Sequence, residues 1–101
     1  MEIIFGNSKV KKQCNNATGK LQRRLDDIRD CDNMEIMKYL PGRLHPLKEN
    51  RKGQWAMDLD NPKRLVMEPI ADPMPVSKDG WLDLKKINVI KIIEIGDYHG
   101  K

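Results

Sequence analysis

The sequence predicts an α+β domain with N-terminal helices packed on a mainly antiparallel β-sheet. Three observations carry this. Apolar residues recur at helical spacing up to the Pro41-Gly42 break, the spacing then changes to strict alternation, and the order is helices first and strands after. At 101 residues the chain is expected to form one domain, 1–101, with a single modest core.

The elements follow in order. "EIIF" is short and β-prone, and Asn7 or Ser8 can cap a helix that puts Val10, Cys14 and Ala17 on one side. In "TGKLQRRLDDIRDC", Leu21, Leu25 and Ile28 stand at i, i+4 and i+7, with arginines and aspartates on the other face, which is an amphipathic helix. "DNMEIMKYL" places Asp32 three residues before Glu35, a capping-box spacing, and Pro41-Gly42 stops the helix. Beyond Gly42, Trp55, Met57 and Leu59 alternate with Gln54, Ala56 and Asp58, and Asn61-Pro62 turns the chain into "KRLVMEPI", a β-hairpin. Residues 69–84 carry Pro69, Pro73, Pro75 and Gly80, too broken for regular structure, with Trp81 and Leu82 expected to tuck against the body. "KINVIKIIEI" has apolar residues in both alternating phases, as a central strand covered on both faces would need.

The net charge of +4 is modest, but the positive charge comes in blocks. Gly6 to Leu25 holds six basic residues (Lys9, Lys11, Lys12, Lys20, Arg23, Arg24) and no acidic one, and a second block joins Arg43, Lys48, Arg51 and Lys52 around Glu49. Each block alone reads as a solvated face; together they point to a phosphate-bearing partner. No run approaches the roughly 20 apolar residues of a membrane span, and no secretory leader opens the chain, so the expectation is a soluble, cytoplasmic protein. Cys14 and Cys31 sit in helix-like segments and read as reduced core thiols.

Two segments hold the histidines. His45 lies in "RLHPLKENRK", where Pro46 disfavours helix for the residue before it, so a loop feeds a strand there. His99 lies in the terminal "GDYHGK", directly after the most apolar strand, which would deliver Asp97, Tyr98 and His99 to a fixed place at the end of the sheet. Cleavage of an RNA phosphodiester needs what the two segments supply. A base takes the 2′-hydroxyl proton, cations stabilise the phosphorane-like transition state, and an acid serves the leaving 5′-oxygen. Phosphate-loop, dinucleotide and zinc-protease motifs are absent, as is any zinc spacing of Cys and His, so neither cofactor nor metal is expected.

At this point "LPGRLHPLKENRKGQWAMDLDNPKRLVMEPI" and the final "IIEIGDYH" resemble the HigB branch of the RelE-like toxins, the killer proteins of plasmid-maintenance toxin–antitoxin systems. The likeness runs from Leu40 to His99 and is carried by "LHPLK", "RKGQW" and "DYH" in that order. It implies a metal-independent endoribonuclease that cleaves mRNA on the ribosome and is held inactive by a small helix-turn-helix, HigA-like antitoxin; the basic block from Lys9 to Arg24 is expected to contact ribosomal RNA, that antitoxin, or both in alternation. The matching positions are His45, Lys48, Arg64, Asp97, Tyr98 and His99. The resemblance makes His99 and Asp97 the proton-transfer groups, with His45, Lys48 and Arg64 supporting the phosphate and Tyr98 stacking on the base. The basic residues Arg43, Arg51, Lys52, Lys11, Lys12, Arg23 and Arg24 are the expected RNA contacts. The chain departs from its relatives in the long excursion 69–84, in Gly100 and Lys101 beyond the histidine, and in lacking an aromatic before Arg64. The rival reading is a non-catalytic basic RNA- or protein-binding module with the same fold; convergence of His45, Asp97 and His99 on one phosphate separates the two.

Overall fold

The computed structural model describes residues 1–60 and 62–97. The β-prone opening forms β1 (Glu2–Phe5), and Asn7 then caps α1 (Ser8–Asn15), its side chain accepting from the Val10 N–H at 2.9 Å. In α2 (Gly19–Asp30), Leu25 and Ile28 are fully buried, as their spacing requires. The third helix, α3 (Met34–Met37), is one turn long, and its cap is Asn33, not Asp32. Asn33 accepts from the Ile36 N–H at 3.2 Å, so an Asn cap one residue later replaces the expected capping box.

The later strands are β2 (His45–Pro46), β3 (Trp55–Asp58), β4 (Lys63–Pro69) and β5 (Val89–Asp97). With β1 they form a five-stranded sheet in the order β1-β5-β4-β3-β2, antiparallel throughout except where β1 runs parallel to β5. β3 and β4 are the expected hairpin. Its closure brings the Leu59 N–H to the Lys63 carbonyl at 3.0 Å.

The helices cover one face of this sheet. Val10, Cys14, Leu25, Ile28, Met34 and Met37 meet Met57, Leu65, Met67, Ile90 and Ile92 in one core. The expectation that β5 is covered on both faces gives way to a different cause of its double-phase pattern. Val66 pairs with Glu94 but Met67 pairs with Ile92, so Ile93 is an extra residue in a β-bulge. The bulge resets the alternation: Ile90 and Ile92 face the helices, and after it Ile95 does so too, packed against the core. Glu94 and Gly96 are thereby turned to the opposite face. Both cysteines are free and buried in the helix-side core, as expected.

The excursion before β5 is a small hairpin of its own. Val76 bridges Leu82, and the Ser77 N–H donates to the Trp81 carbonyl at 2.8 Å. Alternation at that bridge lets only one of two consecutive residues face the body. Leu82 packs on the core, whereas Trp81 is 75% exposed, so the expectation for Trp81 is corrected.

Candidate active site

Residues paired directly across an antiparallel ladder share a face, and every second residue along a strand does too. His45 pairs with Ala56, Ala56 with Val66, and Val66 with Glu94, so these four form a row across β2, β3, β4 and β5. One step of two residues from that row stand Asp58, Arg64 and Gly96, also paired in line. None of these is in the helix-side core cluster; the row occupies the sheet face turned away from the helices. Arg64 lies two strands across and two residues along from His45, about 12 Å between Cα atoms at ordinary sheet spacing. A guanidinium and an imidazole can meet at one phosphate from that separation.

The chain before β2 is tied to this face through Asp58. Gly42 and Arg43 both have positive φ, +110° and +54°. The Asp58 N–H donates to the Gly42 carbonyl at 2.6 Å, and its carboxylate receives Arg43 Nε at 3.0 Å and Nη2 at 3.4 Å. The Arg43 carbonyl in turn lies 2.8 Å from His45 Nδ1. A carbonyl oxygen only accepts, so Nδ1 carries a proton, and in the neutral ring Nε2 is the basic nitrogen.

The loop after β2 is tied down on the far side of the row. Arg51, in the 3-10 turn Glu49–Arg51, donates through Nη1 to Gln54 Oε1 at 3.0 Å and pairs through Nη2 with Glu94. Glu94 is on β5 and Gln54 adjoins β3, so the guanidinium bridges from one of these strands to the other across β4. Ala56 and Val66, in the same row, are fully buried on the face without helices. Lys48 and Lys52 flank the same turn and are exposed.

The remaining sequence-based candidates divide. Arg43, His45, Arg51 and Arg64 are brought to one face, with Lys48 and Lys52 on its bordering loop. Asp97 is not: it pairs with Lys63, in phase with Leu65 and Ile95, and so takes the helix-side face. Tyr98 and His99 lie outside the described residues. Lys11, Lys12 and Arg23 are exposed on the helix layer, on the opposite side of the sheet from His45. Arg24 does not join them. It is only 8% exposed, its Nε has no hydrogen-bond partner among the described residues, and its nearest carboxylate, Asp27, is 3.8 Å away. The hydrophobic side of α2 takes Arg24 along with Leu25 and Ile28, which charge counting along the sequence does not reveal.

Asp58 and Glu94 were not singled out from the sequence. A signal for Asp58 existed: counting three residues outward each way from Asn61 at the hairpin turn pairs it with Arg64. Glu94 had none, because its face depends on the bulge. Among the described residues no cluster of His, Cys, Asp and Glu could hold a metal ion, and no helix is long and apolar enough to cross a membrane.

The fold, three helices against one face of a mostly antiparallel five-stranded sheet, is that of the RelE-like toxins. Among solved structures the chain is similar to a YoeB/ParE toxin from Agrobacterium tumefaciens, with a TM-score of 0.61 over 98% of this chain and 100% of that one. Sequence identity is 14%, so the likeness is one of fold. No protein-family model matches the chain, and no curated protein matches it.

Proposed function

We propose that the protein is the toxin of a type II toxin–antitoxin system and acts in the cytoplasm as a metal-independent, ribosome-dependent mRNA endoribonuclease of the HigB kind. One observation carries this reading: within a RelE-like toxin fold, a histidine with a defined basic nitrogen shares a sheet face with Arg64, Arg43 and Arg51. The chemistry fits that group. His45 Nε2 takes the proton from the 2′-hydroxyl, the 2′-oxygen attacks phosphorus, and the bond to the 5′-oxygen breaks, leaving a 2′,3′-cyclic phosphate and a 5′-hydroxyl. Arg64, helped by Lys48, stabilises the charge on the transferring phosphate, and His99 returns a proton to the leaving oxygen. Tyr98 stacks on the base, while Arg43, Arg51 and Lys52 hold flanking phosphates.

Lys11, Lys12 and Arg23, on the opposite layer, serve a separate surface: ribosomal RNA or a small helix-turn-helix, HigA-like antitoxin. One observation favours the non-catalytic binding module instead, namely that Asp97 and His45 take different faces of the sheet. Induced expression with primer-extension mapping of cellular mRNA separates the two. New 5′-ends within translated codons, lost in His45→Ala, are expected; growth arrest without new ends favours the binding module.

A further inference from the structure

We propose that Asp58 is a positioning residue for His45, acting through Arg43, and that it fixes the imidazole as the tautomer with Nδ1 protonated. This rests on the reading of His45 as a proton-transfer group. Arg43, at φ +54°, is the one residue other than glycine with positive φ among those described. Such backbone persists where the surroundings over-determine it. Here Asp58 supplies that over-determination from both ends: it binds the Gly42 carbonyl through its N–H and the Arg43 side chain through both carboxylate oxygens.

The consequence reaches His45 through two covalently fixed residues. With Arg43 held, its carbonyl stands 2.8 Å from Nδ1, so the proton belongs on Nδ1. Free histidine prefers the proton on Nε2, which leaves Nδ1, close to its own backbone, as the basic nitrogen. The Asp58–Arg43 grip reverses that preference and makes the outer nitrogen the base. It plays the part that an orienting carboxylate plays behind a catalytic histidine, but through an intervening backbone carbonyl.

The test uses the full-length protein labelled with ¹⁵N-histidine. His45 is identified among the two histidines by its loss in His45→Gln, and its tautomer is read from the ring nitrogen shifts. Wild type is expected to show Nδ1–H. Asp58→Asn keeps the shape and loses the charge, while Arg43→Asn keeps a residue that tolerates left-handed backbone and loses the grip. Each is expected to return His45 to the Nε2–H form, and the double variant to go no further, since both remove one interaction. Cleavage of mRNA on programmed ribosomes should lose about tenfold or more in kcat in each variant, with KM within about twofold in Asp58→Asn, which keeps the Arg43 cation. Arg43→Asn alters neither β3 nor its ladder, so it carries the test if Asp58→Asn weakens the hairpin. Wild type as Nε2–H, an unchanged tautomer in Asp58→Asn, or additive effects would overturn the proposal. Full cleavage by His45→Gln would instead overturn the catalytic reading on which it rests.

Discussion

Arg51 and Glu94 form an ion pair that joins the loop after β2 to the inner strand β5 on the sheet face turned away from the helices. The pair is about one-third exposed on each side, 33% and 37%, so solvent screens it and its own contribution is small, about 1 kcal/mol or less. Its effect is on placement: it holds the turn that Lys48 and Lys52 flank. Arg51→Ala and Glu94→Gln should each lower stability by that order, with a double-mutant cycle showing coupling. Both should weaken RNA binding more than they weaken folding. Equal, uncoupled losses in urea titrations would reduce the pair to a surface contact.

Gly42 has a tighter requirement than its place after Pro41 suggests. Its φ is +110°, and a Cβ there would lie 2.9 Å from Arg24 Nε and 3.3 Å from both the Asp58 carbonyl oxygen and Met57 Cε. Gly42→Ala should therefore cost about 1–3 kcal/mol from backbone strain alone, and it should disturb the approach to His45 as well. Chemical denaturation measures the first effect, and the His45 ring nitrogen shifts measure the second.

Arg24 separates buried from exposed positive charge on the helix layer. Its guanidinium is buried beside a weak partner and with one nitrogen unsatisfied, so Arg24→Met should leave stability unchanged or raise it by about 1 kcal/mol. The salt dependence of ribosome binding should not change. Neutralising Lys11, Lys12 and Arg23 together should flatten that dependence, by about one unit of slope for each phosphate that is no longer paired with a cation. Binding across a salt series distinguishes the two sets.

The cysteines give a prediction in pH. Burial pushes the Cys14 thiol above its ordinary value of 9.0, against the lowering effect of Arg29. Burial does the same at Cys31, where the N-terminal ammonium opposes the shift and Asp27, Asp30 and Asp32 reinforce it. A thiol whose pKa is raised in the fold holds its proton in both states below the unfolded value, so stability is unaffected there. As pH climbs past about 9, the unfolded chain releases protons that the fold retains, and stability falls. Denaturant midpoints should drop above that pH, and replacing both cysteines with alanine should remove that drop. At about pH 8, iodoacetamide should label both thiols slowly in the fold and quickly in denaturant.

Much of this architecture was legible because it rests on local signals. The α2 face, the β3–β4 hairpin and the buried thiols follow from spacing and turn residues alone. What was not legible depends on phase across distance. The bulge at Ile93 resets β5, so the apolar pattern that read as two covered faces is one covered face with a slipped register. Asp97 is placed by the same reset, and so is Glu94. Arg24 reads as part of an exposed basic block until the helix phase is drawn against the core, and Trp81 reads as buried until the Val76–Leu82 bridge turns it outward. Of the candidate site, the sequence showed His45 and Arg64 as residues; the carboxylate between them, Asp58, became visible only with the strands paired.

In the proposed reaction this sheet face cleaves mRNA when the ribosome presents it. Alignment of substrate can supply roughly 7–11 kcal/mol of barrier reduction, and a site with three arginines, one histidine and little to read a base would draw that alignment from the decoding site, where the codon is already splayed. The most direct measurement is cleavage of one message, free and in a programmed ribosome, by wild type, His45→Ala and Arg64→Ala. The expected result is cutting confined to the ribosome-bound message, with 2′,3′-cyclic phosphate ends and a loss of about 10²–10⁴-fold in His45→Ala. Equal cutting of free and bound message, or undiminished cutting by His45→Ala, would contradict it.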